Sequence, residues 1–237
     1  MVSTTENTFG AKLRRSQDLL TYISGFTSYN PPRTQENVAG MTALINSIVS
    51  TNATEAAQRG NYKISTDKRQ IAFSKAPGSV EKLLAPIKGA IEAQYGKKSS
   101  ESEIISAIIN KMRTTKITKS PADPTKEKKE TTVSQSERSY GSITQMFNDI
   151  VNSLTQFTSY NPSNPQLKIT NLQATLSQLT SLNNEVAKST QQLKTTQSSR
   201  LKQYADLKDR VQRIKSYVKA QYGTSSNEFN LIKGISV

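Results

Sequence analysis

A seven-residue recurrence of apolar side chains runs through the last third of the chain. From Gln166 to Tyr222 the sequence contains neither Pro nor Gly, the two residues that most often interrupt a helix. This spacing is typical of long helices that pack in bundles or coiled coils. The apolar residues form two series, the first made of Leu172, Leu179, Val186 and Leu193 and the second of Tyr204, Val211 and Val218.

The two series are out of register, and the polar run from Thr195 to Ser199 lies between them. Two interpretations remain open: a helical hairpin that turns at this run, or one continuous helix of ~85 Å at about 1.5 Å per residue. An earlier stretch supports the hairpin. Ala76-Pro77-Gly78-Ser79 interrupts a helical pattern at the comparable place, and Ser79 is suited to cap the helix that follows.

Two short motifs occur twice in the chain. FTSYNP stands at 26–31 and again at 157–162, and AQYG stands at 93–96 and again at 220–223. The offset is 131 residues for the first motif and 127 for the second, so the first copy holds four additional residues, close to one helical turn. The pattern predicts an internal duplication. We call residues 10–112 the first repeat and residues 141–237 the second repeat.

Each repeat shows the same order of predicted elements. A helix precedes FTSYNP, one or two long helices follow it, and a short helix follows AQYG. Gly96 and Gly223 are placed to end the long helices. Ser100-x-x-Glu103 and Ser225-x-x-Glu228 resemble capping boxes of the closing helices. We therefore predict an all-α fold, without a strand pattern, made of two tandem homologous antiparallel bundles with coiled-coil-like helices.

The composition changes between the repeats. Residues 111–138 hold two Pro, eight Lys or Arg and four acidic residues, with few apolar side chains. Such a segment is too polar to build a core. The predicted organisation is therefore a helical repeat at 1–112, a polar basic linker at 113–140 and a second helical repeat at 141–237.

The residues that are absent exclude most catalytic chemistry. The chain has no Cys and no His, which removes thiolate nucleophiles, imidazole bases and the usual zinc ligands. No carboxylate pair suited to acid–base chemistry and no Gly-rich phosphate loop stands out. We expect a protein that is not an enzyme, with no catalytic residue, no cofactor and no metal. No small-molecule substrate is evident.

The chain also lacks the patterns of membrane insertion. The first fifteen residues contain no apolar segment of the kind found in secretory signals. The longest aliphatic run, at 104–109, is far shorter than the ~20 residues that cross a bilayer. A soluble, cytoplasmic protein is the expectation.

Aromatic residues of the repeated motifs are the first candidate site. Asn-Pro in FTSYNP favours a turn, because Pro disfavours helix at the residue before it. If FTSYNP and AQYG lie at the same end of each bundle, their aromatic side chains form two matching clusters. We interpret them chiefly as packing and turn residues, with self-association as the functional alternative. The candidates are Phe26, Tyr29, Tyr95, Phe157, Tyr160 and Tyr222.

The basic stretch from Arg200 to Lys219 is the second candidate site. A net charge of +14 favours contact with polyanions such as nucleic acid or an anionic membrane surface. An ordinary solvated helix face is the competing and favoured interpretation, because the corresponding part of the first repeat is much less basic. The candidate polyanion-binding residues are Lys202, Lys208, Arg210, Arg213, Lys215 and Lys219.

Three functional hypotheses follow from the sequence. The leading one is a non-enzymatic structural or interaction protein that assembles with itself into an oligomer or filament through its duplicated helical units. The alternative is a basic helical protein that binds nucleic acid or an anionic surface. A further alternative is a helical adaptor for one specific protein partner.

Overall fold

The structure is a computed structural model that describes residues 8–113, 117–119, 132–134 and 139–237. The predicted all-α class is confirmed. The helices are α1 (Phe9–Ser24), α2 (Val38–Gln70), α3 (Val80–Tyr95), α4 (Ser100–Arg113), α5 (Tyr140–Gln156), α6 (Ile169–Tyr222) and α7 (Asn227–Ile232). Short 3₁₀ turns at Thr34–Glu36 and Pro165–Leu167 precede α2 and α6.

Two three-residue strands lie within the segment predicted as a linker. β1 (Ile117–Lys119) pairs antiparallel with β2 (Thr132–Ser134), with Thr118 opposite Val133. The sequence contains no strand pattern here, so this ribbon was not predicted. Most of the predicted linker lies outside the described residues.

Helix α6 is continuous from Ile169 to Tyr222, so the hairpin interpretation is wrong and the single long helix is confirmed. The polar run at 195–199 contains no Pro or Gly, and polar side chains are tolerated inside a helix. Thr196, for example, donates its hydroxyl to the carbonyl of Gln192 in the preceding turn. In the first repeat the predicted break is real. A π-helical segment, Ile71–Lys75, ends α2, and α3 begins after Ser79.

The glycine helix ends are confirmed, whereas the predicted capping boxes are wrong, because the serine that caps each closing helix lies one residue away from the predicted one. Gly96 and Gly223 end α3 and α6 with φ of +94° and +96°, a region that favours glycine. The hydroxyl of Ser99 accepts from the backbone N–H of Ser102, and that of Ser226 accepts from Phe229. Ser100 and Ser225 are therefore not the caps. Ser79 occupies the cap position of α3, but its side chain makes no capping hydrogen bond.

The chain forms two compact units, and each contains parts of both repeats. Unit 1 consists of Met1–Asn61 and Thr190–Val237, and unit 2 consists of Tyr62–Ser189. The unit boundaries fall inside α2 and α6, so both helices supply residues to both units. The division predicted from the sequence, 1–112, 113–140 and 141–237, follows the sequence repeats and not the compact units. It stays a prediction about the repeats.

The core of unit 1 joins α1 and the first part of α2 to the second half of α6 and to α7. Leu19, Met41 and Ile48 from the first repeat and Leu207 and Ile214 from the second are fully buried there. They occupy one face of each helix, at the spacing of three, four and seven residues that an amphipathic helix requires. Both repeats are therefore needed to close this core.

The core of unit 2 is built in the same way. The first repeat supplies residues of α3 and α4, such as Ile87 and Ile105, and the second repeat supplies residues of α5 and α6, such as Phe147, Ile150 and Leu172. All five are fully buried. Neither repeat closes this core by itself.

Candidate functional site

The FTSYNP turn of the first repeat belongs to unit 1 and reverses the chain between α1 and α2. Ser28 has φ of +61°, which lets the chain turn sharply after Phe26. The hydroxyl of Tyr29 donates to the carbonyl of Glu36 over 2.7 Å, which ties the turn to the start of α2. The rings of Phe26 and Tyr29 meet edge to face at 6.4 Å.

The FTSYNP turn of the second repeat has the same construction in unit 2. Ser159 has φ of +67°. The hydroxyl of Tyr160 donates to the carbonyl of Leu167 over 3.0 Å, again seven residues further along the chain. In both turns the phenol therefore serves as a brace between the turn and the following long helix.

Each turn receives the AQYG helix end of the other repeat. In unit 1 the hydroxyl of Tyr222 donates to the carbonyl of Thr27 over 2.7 Å, and its ring lies 5.9 Å from that of Phe26. In unit 2 the hydroxyl of Tyr95 donates to the carbonyl of Thr158 over 2.7 Å. Its ring lies 5.9 Å from the ring of Phe157.

The six aromatic candidates thus lie in two groups, which we call the turn clusters. The cluster of unit 1 contains Phe26, Tyr29 and Tyr222, and that of unit 2 contains Phe157, Tyr160 and Tyr95. The sequence suggested clusters within one repeat. In the structure each cluster combines the turn of one repeat with the helix end of the other, which no local pattern indicates.

Burial perturbs the phenols of the turn clusters. Desolvation raises the pKa of Tyr160 to about 12, with Tyr95 adding to the effect. The pKa of Tyr29 is also raised, first by burial and then by Tyr217, Glu36 and Tyr222. The hydroxyls of these tyrosines donate to backbone carbonyls and stay protonated, so they hold structure together and are poorly suited to proton transfer.

Unit 1 contains a polar group beside its turn cluster that sequence reasoning missed. Glu36 is buried, with 3% of its surface exposed. Its carboxylate lies 3.4 Å from Nε of Arg33 and 4.0 Å from Nε of Arg213. Oε1 has no hydrogen-bond partner among the described residues. A groove of about 480 Å³ runs beside this carboxylate, between Pro31 and Tyr217.

Two further side chains of α6 bind the same stretch of the first repeat. Arg210 donates to the carbonyls of Gln35 and Gly40 over 3.0 and 3.2 Å and also forms an ion pair with Asp206. The hydroxyl of Tyr217 donates to the carbonyl of Asn30 and accepts from its backbone N–H, at 2.8 and 3.2 Å. Together with Arg213 these side chains give α6 a polar surface facing residues 30–40.

A second buried charge lies in unit 1, between α2 and α6. Glu55 is 4% exposed and forms ion pairs with Arg59 and, over 3.0 Å, with Arg200. Burial by itself raises the pKa of Glu55, but hydrogen bonds from Arg59 and Gln197 and the charge of Arg200 outweigh it, so the pKa is below its ordinary value. The only sequence signal was the spacing of Glu55 and Arg59, one turn apart.

The basic candidates of α6 separate into two groups. Arg210 and Arg213 are held by aspartates and by residues 30–40, and Lys215 donates to the carbonyl of Lys233 over 2.9 Å. Burial lowers the pKa of Lys215. The remaining three are exposed and have no partner in the described part of the chain; they are Lys202, Lys208 and Lys219.

Comparisons with known proteins leave the function to be argued from these residues. No protein-family model matches the chain, and neither the curated proteins nor the solved structures contain a significant match. Within the described ranges, no group of three or more acidic side chains is arranged to hold a metal ion. None of the described helices is apolar enough over the required length to cross a bilayer.

Proposed function

We propose that the chain is a non-enzymatic interaction protein built by internal duplication, and that it assembles with itself through pairing of its two repeats. The observation that carries the proposal is the reciprocity of the turn clusters. The FTSYNP turn of each repeat is closed by the AQYG helix end of the other repeat, with matching hydrogen bonds of 2.7 Å.

Contacts elsewhere in the two units support the duplication. In unit 1 the hydroxyl of Thr196 donates to the side chain of Gln58 over 2.7 Å. In unit 2 the hydroxyls of Ser65 and Ser189 lie 2.9 Å apart. Ser65 and Thr196 are 131 positions apart, as are Gln58 and Ser189, so equivalent positions meet in both units.

A pair of arginines shows the same equivalence. Arg69 stacks 4.0 Å from the ring centre of Tyr140 in unit 2, and Arg200 stacks 4.3 Å from that of Phe9 in unit 1. Both arginines and both aromatic residues are again 131 positions apart. Conserved geometry at equivalent positions is expected of two copies of one ancestral helical unit.

The way the units are closed supports self-assembly. Each unit needs a segment of the first repeat and a segment of the second, and these segments need not belong to the same chain. Exchange of identical elements between protomers is a common route to oligomers, and a head-to-tail exchange that does not close produces a filament. The proposed function is therefore structural, and the partner is a second copy of this chain.

Exposed apolar residues on the two closing helices also support self-assembly. Ile104 on α4 and Leu231 on α7 are 127 positions apart and occupy equivalent places on the two closing helices. They are 45% and 51% exposed. Each unit therefore offers one apolar side chain of the same kind to a neighbouring copy.

Light scattering coupled to size-exclusion chromatography, together with negative-stain electron microscopy, tests the proposal. We expect the apparent mass to rise with protein concentration at physiological salt. A chain that remains strictly monomeric at high micromolar concentration contradicts it.

Polyanion binding by α6 is a second proposal. Its support is the net charge of +14 together with the three exposed lysines that no other described residue engages, Lys202, Lys208 and Lys219. Because the other three basic candidates are engaged by residues of unit 1, this proposal rests on fewer residues than the sequence suggested. Its test is the salt dependence described in the Discussion.

A further inference from the structure

The two units differ at one buried position beside their turn clusters. Glu36 in unit 1 and Leu167 in unit 2 are 131 positions apart, and both follow the FTSYNP turn. Their carbonyls accept the equivalent hydrogen bonds from Tyr29 and Tyr160. They are buried to the same degree, at 3% and 4% exposed. One repeat thus buries a carboxylate where the other buries an isobutyl group.

The residues of the helix that packs opposite this position also differ between the two units. Arg210, Arg213 and Tyr217 of α6 face residues 30–40 in unit 1 and make the contacts described above. The positions 127 residues earlier, on α3 of unit 2, are Leu83, Pro86 and Ala90. Leu83 belongs to the same buried hydrophobic cluster as Leu167, and Ala90 packs against that cluster. A polar set therefore meets a carboxylate in unit 1, and an apolar set meets a leucine in unit 2.

We propose that Glu36 and the polar side chains opposite it select the pairing partner, so that the first repeat pairs with a second repeat and not with another first repeat. This inference rests on the proposed duplication and names the partner surface. In a pair of two first repeats, Glu36 faces Leu83, Pro86 and Ala90 and loses Arg213. The carbonyls of Gln35 and Gly40 lose Arg210. The same loss occurs twice, once in each unit.

Loss of Arg213 leaves the buried carboxylate of Glu36 with Arg33 as its one cationic neighbour, and a buried charge with fewer partners is less favourable. Discrimination of this kind needs an element that penalises the wrong partner as well as one that favours the right one. Arg33 cannot supply the discrimination, because it lies on the same segment as Glu36 and accompanies it in every pairing. In a pair of two second repeats, Arg210 and Arg213 keep Asp206 and Asp209. The selection therefore acts mainly against pairs of first repeats.

For assembly, this selection gives the contacts between chains a direction. If exchange between copies joins only first repeats to second repeats, every contact between chains is head-to-tail. Such contacts build closed rings or open filaments and exclude a symmetric dimer held through two first repeats.

The experiment uses the full chain with a site-specific protease sequence inserted between residues 119 and 132. The folded protein is cut, unfolded in urea, refolded by dilution and examined by native mass spectrometry, which separates the three possible fragment pairs by mass. We expect the mixed pair to exceed the share that random pairing of equimolar fragments gives. Because mass is conserved, first-repeat pairs and second-repeat pairs then fall together, and we expect a decrease of roughly tenfold. A random distribution of pairs, or a deficit of the mixed pair, overturns the inference.

Variants of the same cut protein test the role of the carboxylate. Glu36→Leu gives the first repeat the residue that the second carries, and we expect pairs of first repeats to increase by roughly tenfold. Glu36→Gln removes the charge at nearly constant shape and should change the distribution in the same direction. Asp67→Asn, at a half-exposed i,i+4 ion pair with Lys63, is the matched control and should change nothing.

Circular dichroism of each refolded variant verifies that it is helical before the pairs are counted. An unchanged distribution in a folded Glu36→Leu protein overturns the proposal. The oligomeric state of the uncut chain is a separate measurement. A chain that stays monomeric but refolds into mixed pairs therefore contradicts the proposed self-assembly without contradicting the selection of partner.

Discussion

Removal of one hydroxyl from each turn cluster tests whether the two turns are stabilised in the same way. Tyr29 and Tyr160 each donate to a carbonyl seven residues further on, at 2.7 and 3.0 Å, and both hydroxyls are partly buried. Tyr→Phe keeps the ring and its packing but leaves that carbonyl without the donor. The net value of such a hydrogen bond is about 1 kcal/mol.

We therefore expect Tyr29→Phe and Tyr160→Phe each to lower the free energy of unfolding of its unit by about 1 kcal/mol. With a urea dependence of about 2 kcal/mol per molar, the midpoint should move down by roughly 0.5 M. The assay is urea denaturation followed by circular dichroism. Because the two sites share no partner, the double variant should show the sum of the two effects.

Tyr62→Phe is the matched control. Tyr62 is 37% exposed and its hydroxyl has no partner in the described part of the chain. The control should change the stability by less than about 0.5 kcal/mol. An effect at Tyr29 without one at Tyr160, or effects no larger than that of the control, would refute the reasoning that the two turns are equivalent.

The same phenols also give stability a dependence on alkaline pH. The pKa of Tyr160 is raised from 10.0 to about 12 in the folded chain. A group whose folded pKa is raised contributes stability that is complete below its unfolded pKa and is lost as the pH rises through its folded pKa. The free energy of unfolding should therefore fall between pH 10 and about 12. Tyrosinate absorbance in the native chain should lag behind that of the urea-unfolded chain, and coincident titration curves would contradict this expectation.

Three further predictions concern backbone approach, buried charge and surface charge. Gly40→Ala should destabilise unit 1 by about 1–3 kcal/mol, since a Cβ there lies 2.3 Å from the carbonyl oxygen of Thr34, whereas Gly60→Ala, with open space around it, should stabilise α2 by about 0.5–1 kcal/mol in urea denaturation. Because the folded pKa of Glu55 is lowered, its stabilising contribution should be lost as the pH falls below its ordinary 4.5, and Glu55→Gln should show a flatter acid limb in the same assay. Nucleic-acid binding, if α6 provides it, should weaken steeply with salt in a filter-binding titration and disappear on reversal of the charges at Lys202, Lys208 and Lys219 without loss of helicity; retention by the reversed variant contradicts the second proposal.

Much of the local structure was predictable from the sequence, because helices and their ends depend on neighbouring residues. The spacing of apolar residues and the lack of Pro and Gly predicted helix over 166–222, and the structure has α6 there. Gly96 and Gly223 end their helices with φ of +94° and +96°, which glycine adopts readily because it has no Cβ. The aromatic candidates could be named because they stand in repeated motifs.

One local alternative stayed undecided and one local prediction was wrong, both for physical reasons. A polar run inside a helix and a polar turn between helices have similar composition, so residues 195–199 gave no decision between one helix and a hairpin. The capping serines were misplaced by one residue, because Ser99-Ser100 and Ser225-Ser226 each offer two adjacent hydroxyls. Only the backbone geometry decides which of the two reaches the third N–H of the helix.

The sequence by itself thus determined that the chain is helical, that each of two short motifs occurs twice, and where most of the helices end. It did not determine which turn meets which helix end. Tyr222 donates to the carbonyl of Thr27, 195 positions away in sequence. Tyr95 donates to Thr158, in the FTSYNP turn that follows it in the chain, and not to the turn that precedes it. Because both repeats carry the same motifs, pairing within one repeat and pairing between repeats satisfy the same local pattern. Only the tertiary structure, in which continuous α6 carries its AQYG end to the turn of the other repeat, decided between them.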